Sequence, residues 1–115
     1  MRNYHSTKYG NQKITIDNLT FDSIREYTRW SELKLLERAH EISNLERQKK
    51  FVLIPKQTSK TGKVLERECC YIADFVYRDK NGALVVEDAK GARTREYIIK
   101  RKLMLYVHKI RVQEV

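Results

Sequence analysis

Between residues 72 and 88 two β-prone runs flank Asp79-Lys80-Asn81-Gly82, and this turn constrains the chain more than any other feature. Three-residue hairpin loops favour a type I turn closed by a glycine in the left-handed region, and Gly82 stands in the closing place. With residues 80–82 as the loop, Asp79 pairs with Ala83. Counting outward, Val76 faces Val86, Asp74 faces Asp88 and Ile72 faces Lys90, all on one face of the sheet. Like charges directly opposite each other destabilise, because their Cβ atoms lie only about 5 Å apart. A cation between Asp74 and Asp88 would resolve the conflict. Mg²⁺ suits them, being a hard ion that takes carboxylate oxygens and keeps several waters. Lys90, diagonal to Asp74, would orient a water or neutralise charge developing on a phosphate. A two-residue turn at Asn81-Gly82 would shift the register by one and part the acids, and both acids could simply be solvated. Spacing alone leaves these readings open.

The rest of the chain supplies elements around this hairpin. Residues 1–12 are polar and lack periodicity, a basic flexible lead-in that includes Lys8. Residues 13–21 are β-branched and aromatic with Asp17-Asn18 in the middle, which predicts a short hairpin. Residues 22–41 predict a helix capped by Asp22 or Ser23, with Ser23 and Glu26 at capping-box spacing. Ile24, Leu35, Ala39 and Ile42 form one apolar stripe and Tyr27, Trp30 and Leu33 another, so the helix is expected to pack on two neighbours. Residues 43–49 read as a connector holding Gln48, and 50–54 as a strand that Pro55 ends or places at an edge. Residues 57–63 read as a polar loop, 64–77 as one long strand and 83–88 as the next. Thr94 is a candidate N-cap for a basic helix over 95–107, and 109–115 closes the chain as a short strand. The order is hairpin, helix, three strands, helix, strand. The fold class is α/β (α+β), a mixed sheet flanked by helices.

Length and charge narrow the function. At 115 residues the chain is expected to be one domain over 1–115. It holds no bilayer-spanning apolar run, and no apolar stretch follows the first residues as a signal peptide requires. Cys69 and Cys70 are adjacent and ill placed to bridge, and His5, His40 and His108 are scattered without zinc-ligand spacing. A reducing, cytoplasmic setting is expected. Lys and Arg number 24 against 15 acidic residues, a net charge of +9 that points to a polyanion, nucleic acid first.

Ile72-Ala73-Asp74 followed on the next strand by Asp88-Ala89-Lys90 resembles the PD-(D/E)xK nuclease motif, with Ala73 in the place usually held by Pro. Glu26 on the first helix matches the Glu that completes the metal site in many members. Residues 8–113 as a whole are similar to small phage-encoded endonucleases of that superfamily, of the kind that act like Holliday-junction resolvases. The resemblance implies a restriction-endonuclease-like core of helix, three-stranded meander, helix and strand. It implies Mg²⁺, with Mn²⁺ able to substitute, held by Asp74, Asp88, Glu26 and the Ala89 carbonyl. Lys90 would assist a water that displaces the 3′ oxygen of a phosphodiester in line.

Glu26 falls between Trp30 and Leu33 on a helical wheel, an awkward place for a carboxylate without a task beyond capping. Glu87 points away from Asp88 and reads as structural or as a support behind the ligands rather than as a ligand, and Trp30 reads as core. Tyr97 or Lys100 would occupy the place of a residue that aids the active site after the Lys motif in related nucleases. Lys8, Tyr97, Lys100 and Lys102 are the expected nucleic-acid contacts. The implied partner is DNA, branched or junction, cut by a possible homodimer in phage recombination within the host cytoplasm. Two alternatives stand beside this reading. One is a non-catalytic DNA-binding or interaction module on the same fold, and the other a sequence-specific restriction-type nuclease.

Overall fold

The computed structural model describes residues 13–90 and 92–115. A hairpin of β1 (Ile14–Ile16) and β2 (Leu19–Phe21) turns at Asp17 and Asn18, both with positive φ as a two-residue hairpin turn requires. Helix α1 (Ile24–Arg38) starts at Ser23, whose hydroxyl accepts the Glu26 backbone N–H at 3.1 Å. Then follow β3 (Ser43–Ile54), β4 (Gln57–Thr58), β5 (Val64–Glu66), β6 (Cys69–Arg78) and β7 (Leu84–Asp88). Helix α2 (Arg95–Leu103) begins at the Thr94 cap and widens into a π-helical turn over Met104–His108, before β8 (Gln113–Glu114).

The main sheet is ordered β3-β6-β7-β8, antiparallel except for β8 beside β7. The architecture is therefore mixed α and β, as the pattern of elements predicts. Apolar burial forms on both faces. Leu33 of α1 packs with Ile42, Phe75 and Tyr77. Tyr97 of α2 and Met104 pack with Leu53, Tyr71, Ala73, Val76, Val86 and Val112. β8 is tied to α2 by Glu114, which meets Arg93, Arg101 and the Tyr97 hydroxyl.

The expected hairpin register is observed. Phe75 pairs with Glu87, Val76 with Val86 and Arg78 with Leu84. The turn closes as Gly82 N–H donates to Asp79 O and Asp79 N–H to Ala83 O, each at 2.9 Å, with Gly82 at φ +82.

Five expectations are corrected. Residues 43–49 are not a connector but the first part of β3, because ladder bonds to β6 need only backbone and accept a polar run. Residues 57–63 are not a free loop, and 64–77 is not one strand. The strand breaks at Arg67 and Glu68, and β5 instead folds onto β4 as a small ribbon. Of the stripe Ile24, Leu35, Ala39 and Ile42 only Ile42 is buried, in the Leu33 cluster: Ile24 and Leu35 are 61% and 63% exposed, since the sheet meets only one side of α1. The final strand shrinks from 109–115 to Gln113–Glu114. No helix among the described residues is long and apolar enough to cross a membrane.

Candidate active site

Apolar parity along β3 and β6 hides a change of face. Phe75 and Tyr77 join the α1 cluster, whereas Tyr71 and Ala73, of the same parity, join the α2 cluster. On β3, Leu45 packs on the α1 side and Phe51 and Leu53 on the α2 side, again with unchanged parity. The switch falls between the pairs Arg47↔Phe75 and Lys49↔Ala73, where Gln48 lies opposite Asp74. Gln48 adopts φ +52, a left-handed conformation that costs a non-glycine residue about 1 kcal/mol or more. The candidate site is built at this crossing.

Asp74 leaves β6 beside the end of β7, one position past the Phe75↔Glu87 pair and so opposite Asp88. Its Oδ2 accepts the Ala89 N–H at 2.9 Å, and its Oδ1 accepts the Gln48 side-chain amide at 3.4 Å. Asp88 is 1% exposed. Its Oδ2 accepts the Tyr71 hydroxyl at 2.5 Å, and its Oδ1 lies 3.5 Å from the Lys90 ammonium. That ammonium also stands 4.6 Å from the centre of the Tyr97 ring. Burial, reinforced by the neighbouring Asp88, pushes the Asp74 carboxyl up to about 8. The carboxylates and Lys90 line an open cleft of about 340 Å³ together with Gln48, Ile72, Cys70 and Lys100.

Glu26 is 3% exposed and serves two purposes. Its Oε2 accepts the Asp22 N–H at 3.2 Å, which fastens the start of α1. Its Oε1 accepts from Arg47 at 3.2 Å and from the Gln48 amide at 3.3 Å. Burial holds its carboxyl above the usual range. The same Gln48 nitrogen thus joins Glu26 to Asp74. The structure does not draw Glu26 into contact with the aspartates: among the described residues no group of three or more His, Cys, Asp or Glu side chains is gathered closely enough to hold a metal. Asp74 and Asp88 nevertheless offer the hard oxygen donors that Mg²⁺ prefers.

The remaining expected residues divide. Lys100 lines the cleft and pairs with Glu96 at 3.0 Å. Tyr97 is 5% exposed and its hydroxyl is taken by Glu114 at 2.9 Å, so it reaches the site only as the ring beneath Lys90. Lys102 faces a separate groove of about 770 Å³ with Arg93, Arg101 and Arg111. Lys8 lies outside the described residues. Glu87 is structural as expected, buried at 1% exposure, paired through both oxygens with Arg29 at 2.8 and 2.7 Å and bonded to the Tyr77 hydroxyl.

A family model described as "Protein of unknown function (DUF1064)" matches residues 6–113. No curated protein and no solved structure matches the chain.

Proposed function

We propose, for a chain that belongs to the DUF1064 family over nearly its whole length, the activity of a divalent-metal-dependent DNA endonuclease. The observation that carries this reading is one register. It seats a half-buried Asp74, whose carboxyl is pushed up to about 8, against the buried Asp88, with the Lys90 ammonium 3.5 Å from Asp88. An acid pair of this kind is a poor structural element and a good cation site.

Asp74, Asp88 and the Ala89 carbonyl would hold Mg²⁺ or Mn²⁺, with Glu26 adding negative charge from across the Gln48 amide. When held, the ion supplies positive charge to a phosphate oxygen and acidifies water. Tyr71 fixes one oxygen of Asp88 and leaves the other toward Lys90. Lys90, seated on the Tyr97 ring, orients the attacking water and balances charge on the phosphate. Lys100 across the cleft holds the substrate backbone. The fold is read as a restriction-endonuclease-like core, and the substrate as branched or junction DNA cut at the 3′ oxygen in a recombination setting. The net charge of +9 supports a polyanionic partner, and paired cuts support a homodimer.

A second reading, a non-catalytic binding module, is favoured by the full hydrogen bonding of Glu26 within the protein. Thermal melts with a Mg²⁺ titration separate the two. The nuclease reading expects a rise in Tm that Asp74→Asn abolishes, together with metal-dependent cleavage of four-way junctions. A Tm indifferent to the metal favours the module.

A further inference from the structure

β4 and β5 prolong the β3–β6 ladder beyond the body of the sheet. The pair Ile54↔Cys69 is followed by Gln57↔Glu66 with the same count, and the ribbon closes at Ser59–Gly62. From 55 to 68 every residue is exposed except the half-buried Ser59, and neither apolar cluster includes any of them. A two-stranded ribbon with no core is marginal alone in water. This one contributes nothing to either cluster, and its exposed backbone and side chains are laid out for contact.

Its charge identifies the partner. Lys56, Lys60, Lys63 and Arg67 stand against Glu66 alone, because Glu68 is paired with Lys50 at 2.5 Å. None of the four cations forms an ion pair with the described residues. The ribbon is also joined to the acidic cleft. Ile72 and Cys70 line that cleft with Asp74, and their partners across the ladder, Lys50 and Val52, are exposed beside them. This open strip leads from Asp74 to Ile54 and on to the ribbon. From Gln48 to Lys60 an extended chain at about 3.3 Å per residue spans at most about 40 Å. One turn of B-DNA is about 34 Å, and its major groove admits a two-stranded β-ribbon.

We propose that the β4–β5 ribbon is a duplex-gripping finger. Lys56, Lys60, Lys63 and Arg67 contact phosphates of a duplex arm that lies along the strip, about one helical turn from the bond being cut. This rests on the nuclease reading and deepens it: the substrate must carry a duplex arm that extends past the cleavage point.

The test is a variant with Lys56→Gln, Lys60→Gln, Lys63→Gln and Arg67→Gln, all at exposed positions, confirmed folded by its melting curve. DNA binding is measured without metal, as a function of salt, on a duplex of about 6 base pairs and one of about 30, shorter and longer than the helical turn the finger spans. For the long duplex the slope of log affinity against log salt should become shallower by about 3.6, four lost phosphate contacts at about 0.9 each. The short duplex should bind both proteins alike. An unchanged slope on the long duplex overturns the proposal. So does a slope change that appears only because a wild-type dimer has become a monomer, which would make the ribbon a contact for a second copy. Mg²⁺-dependent cleavage of a four-way junction by wild type against Asp88→Asn reads the carboxylates separately, so the failure of either idea is seen without the other.

Discussion

The surroundings of Asp74 favour its protonated form more than water does for an exposed aspartate. Burial and its neighbour Asp88 raise its carboxyl to about 8, against about 4 in an unfolded chain. The sign follows from linkage. The folded state binds this proton more tightly, so the stability it confers is fully present below about pH 4 and is lost as pH rises through about 8. Melts of metal-free protein should show Asp74→Asn gaining on wild type between those values. A difference that does not vary with pH contradicts the assignment. Mg²⁺ competes with the same proton, so its stabilising effect should grow from acid to alkaline pH in wild type and vanish in Asp74→Asn. Lys90→Ala should separate the roles: stabilisation by Mg²⁺ persists while cleavage falls by about two orders of magnitude or more, the usual cost of losing one charge-stabilising donor. Equal cleavage by Lys90→Ala removes Lys90 from the chemistry. The aspartate pair was legible because Gly82 fixes the loop and the loop fixes the register. The seat of Gln48 was not. Leu45, Phe51 and Leu53 keep one parity through a change of face, and a left-handed Gln inside a strand leaves no trace in periodicity.

Among the elements, α1 shows how far a hydrophobic pattern can be read. Leu33 and Glu26 are buried on the side that meets the sheet, where the wheel placed them, yet Ile24 and Leu35 remain exposed. Apolar spacing states which positions tolerate burial, and the number of neighbours decides which of them receive it. What fixes α1 to the sheet is polar as well as apolar: Arg29 reaches Glu87 on β7 through two hydrogen bonds. Removing one partner of such a buried pair leaves an uncompensated charge. Arg29→Met should therefore destabilise by about 3–5 kcal/mol in urea titrations. Adding Glu87→Gln should recover part of that loss. A single-variant loss below about 1 kcal/mol would mean that the pair is solvated in practice. The break at Arg67 and Glu68 escaped the sequence because β-prone residues continue on both sides of it, so composition marks strand but not which strand each half joins.

For the whole molecule, the chain carries a net charge of +9, and part of its basic side chains lies in three places. Lys90 and Lys100 line the aspartate cleft, Lys102 looks into the groove beside Arg111, and four cations ride on the β4–β5 ribbon. DNA affinity should therefore fall steeply with salt. Lys100→Glu should weaken both binding and cleavage, whereas Lys102→Glu should weaken binding alone, as fluorescence anisotropy and cleavage rates would show. Equal effects of the two on cleavage would contradict this division of the surface. Element order and charge excess could be read from the sequence, but the separation of the basic side chains among cleft, groove and ribbon depends on how β3 and β6 pair and where their ladder runs out into the ribbon. The decisive measurement is a cleavage time course on four-way-junction DNA with Mg²⁺, comparing wild type with Asp88→Asn at matched protein concentration and equal bound DNA. The account predicts metal-dependent strand scission by wild type and none above background by Asp88→Asn, with DNA binding retained; cutting by Asp88→Asn at the wild-type rate would contradict it.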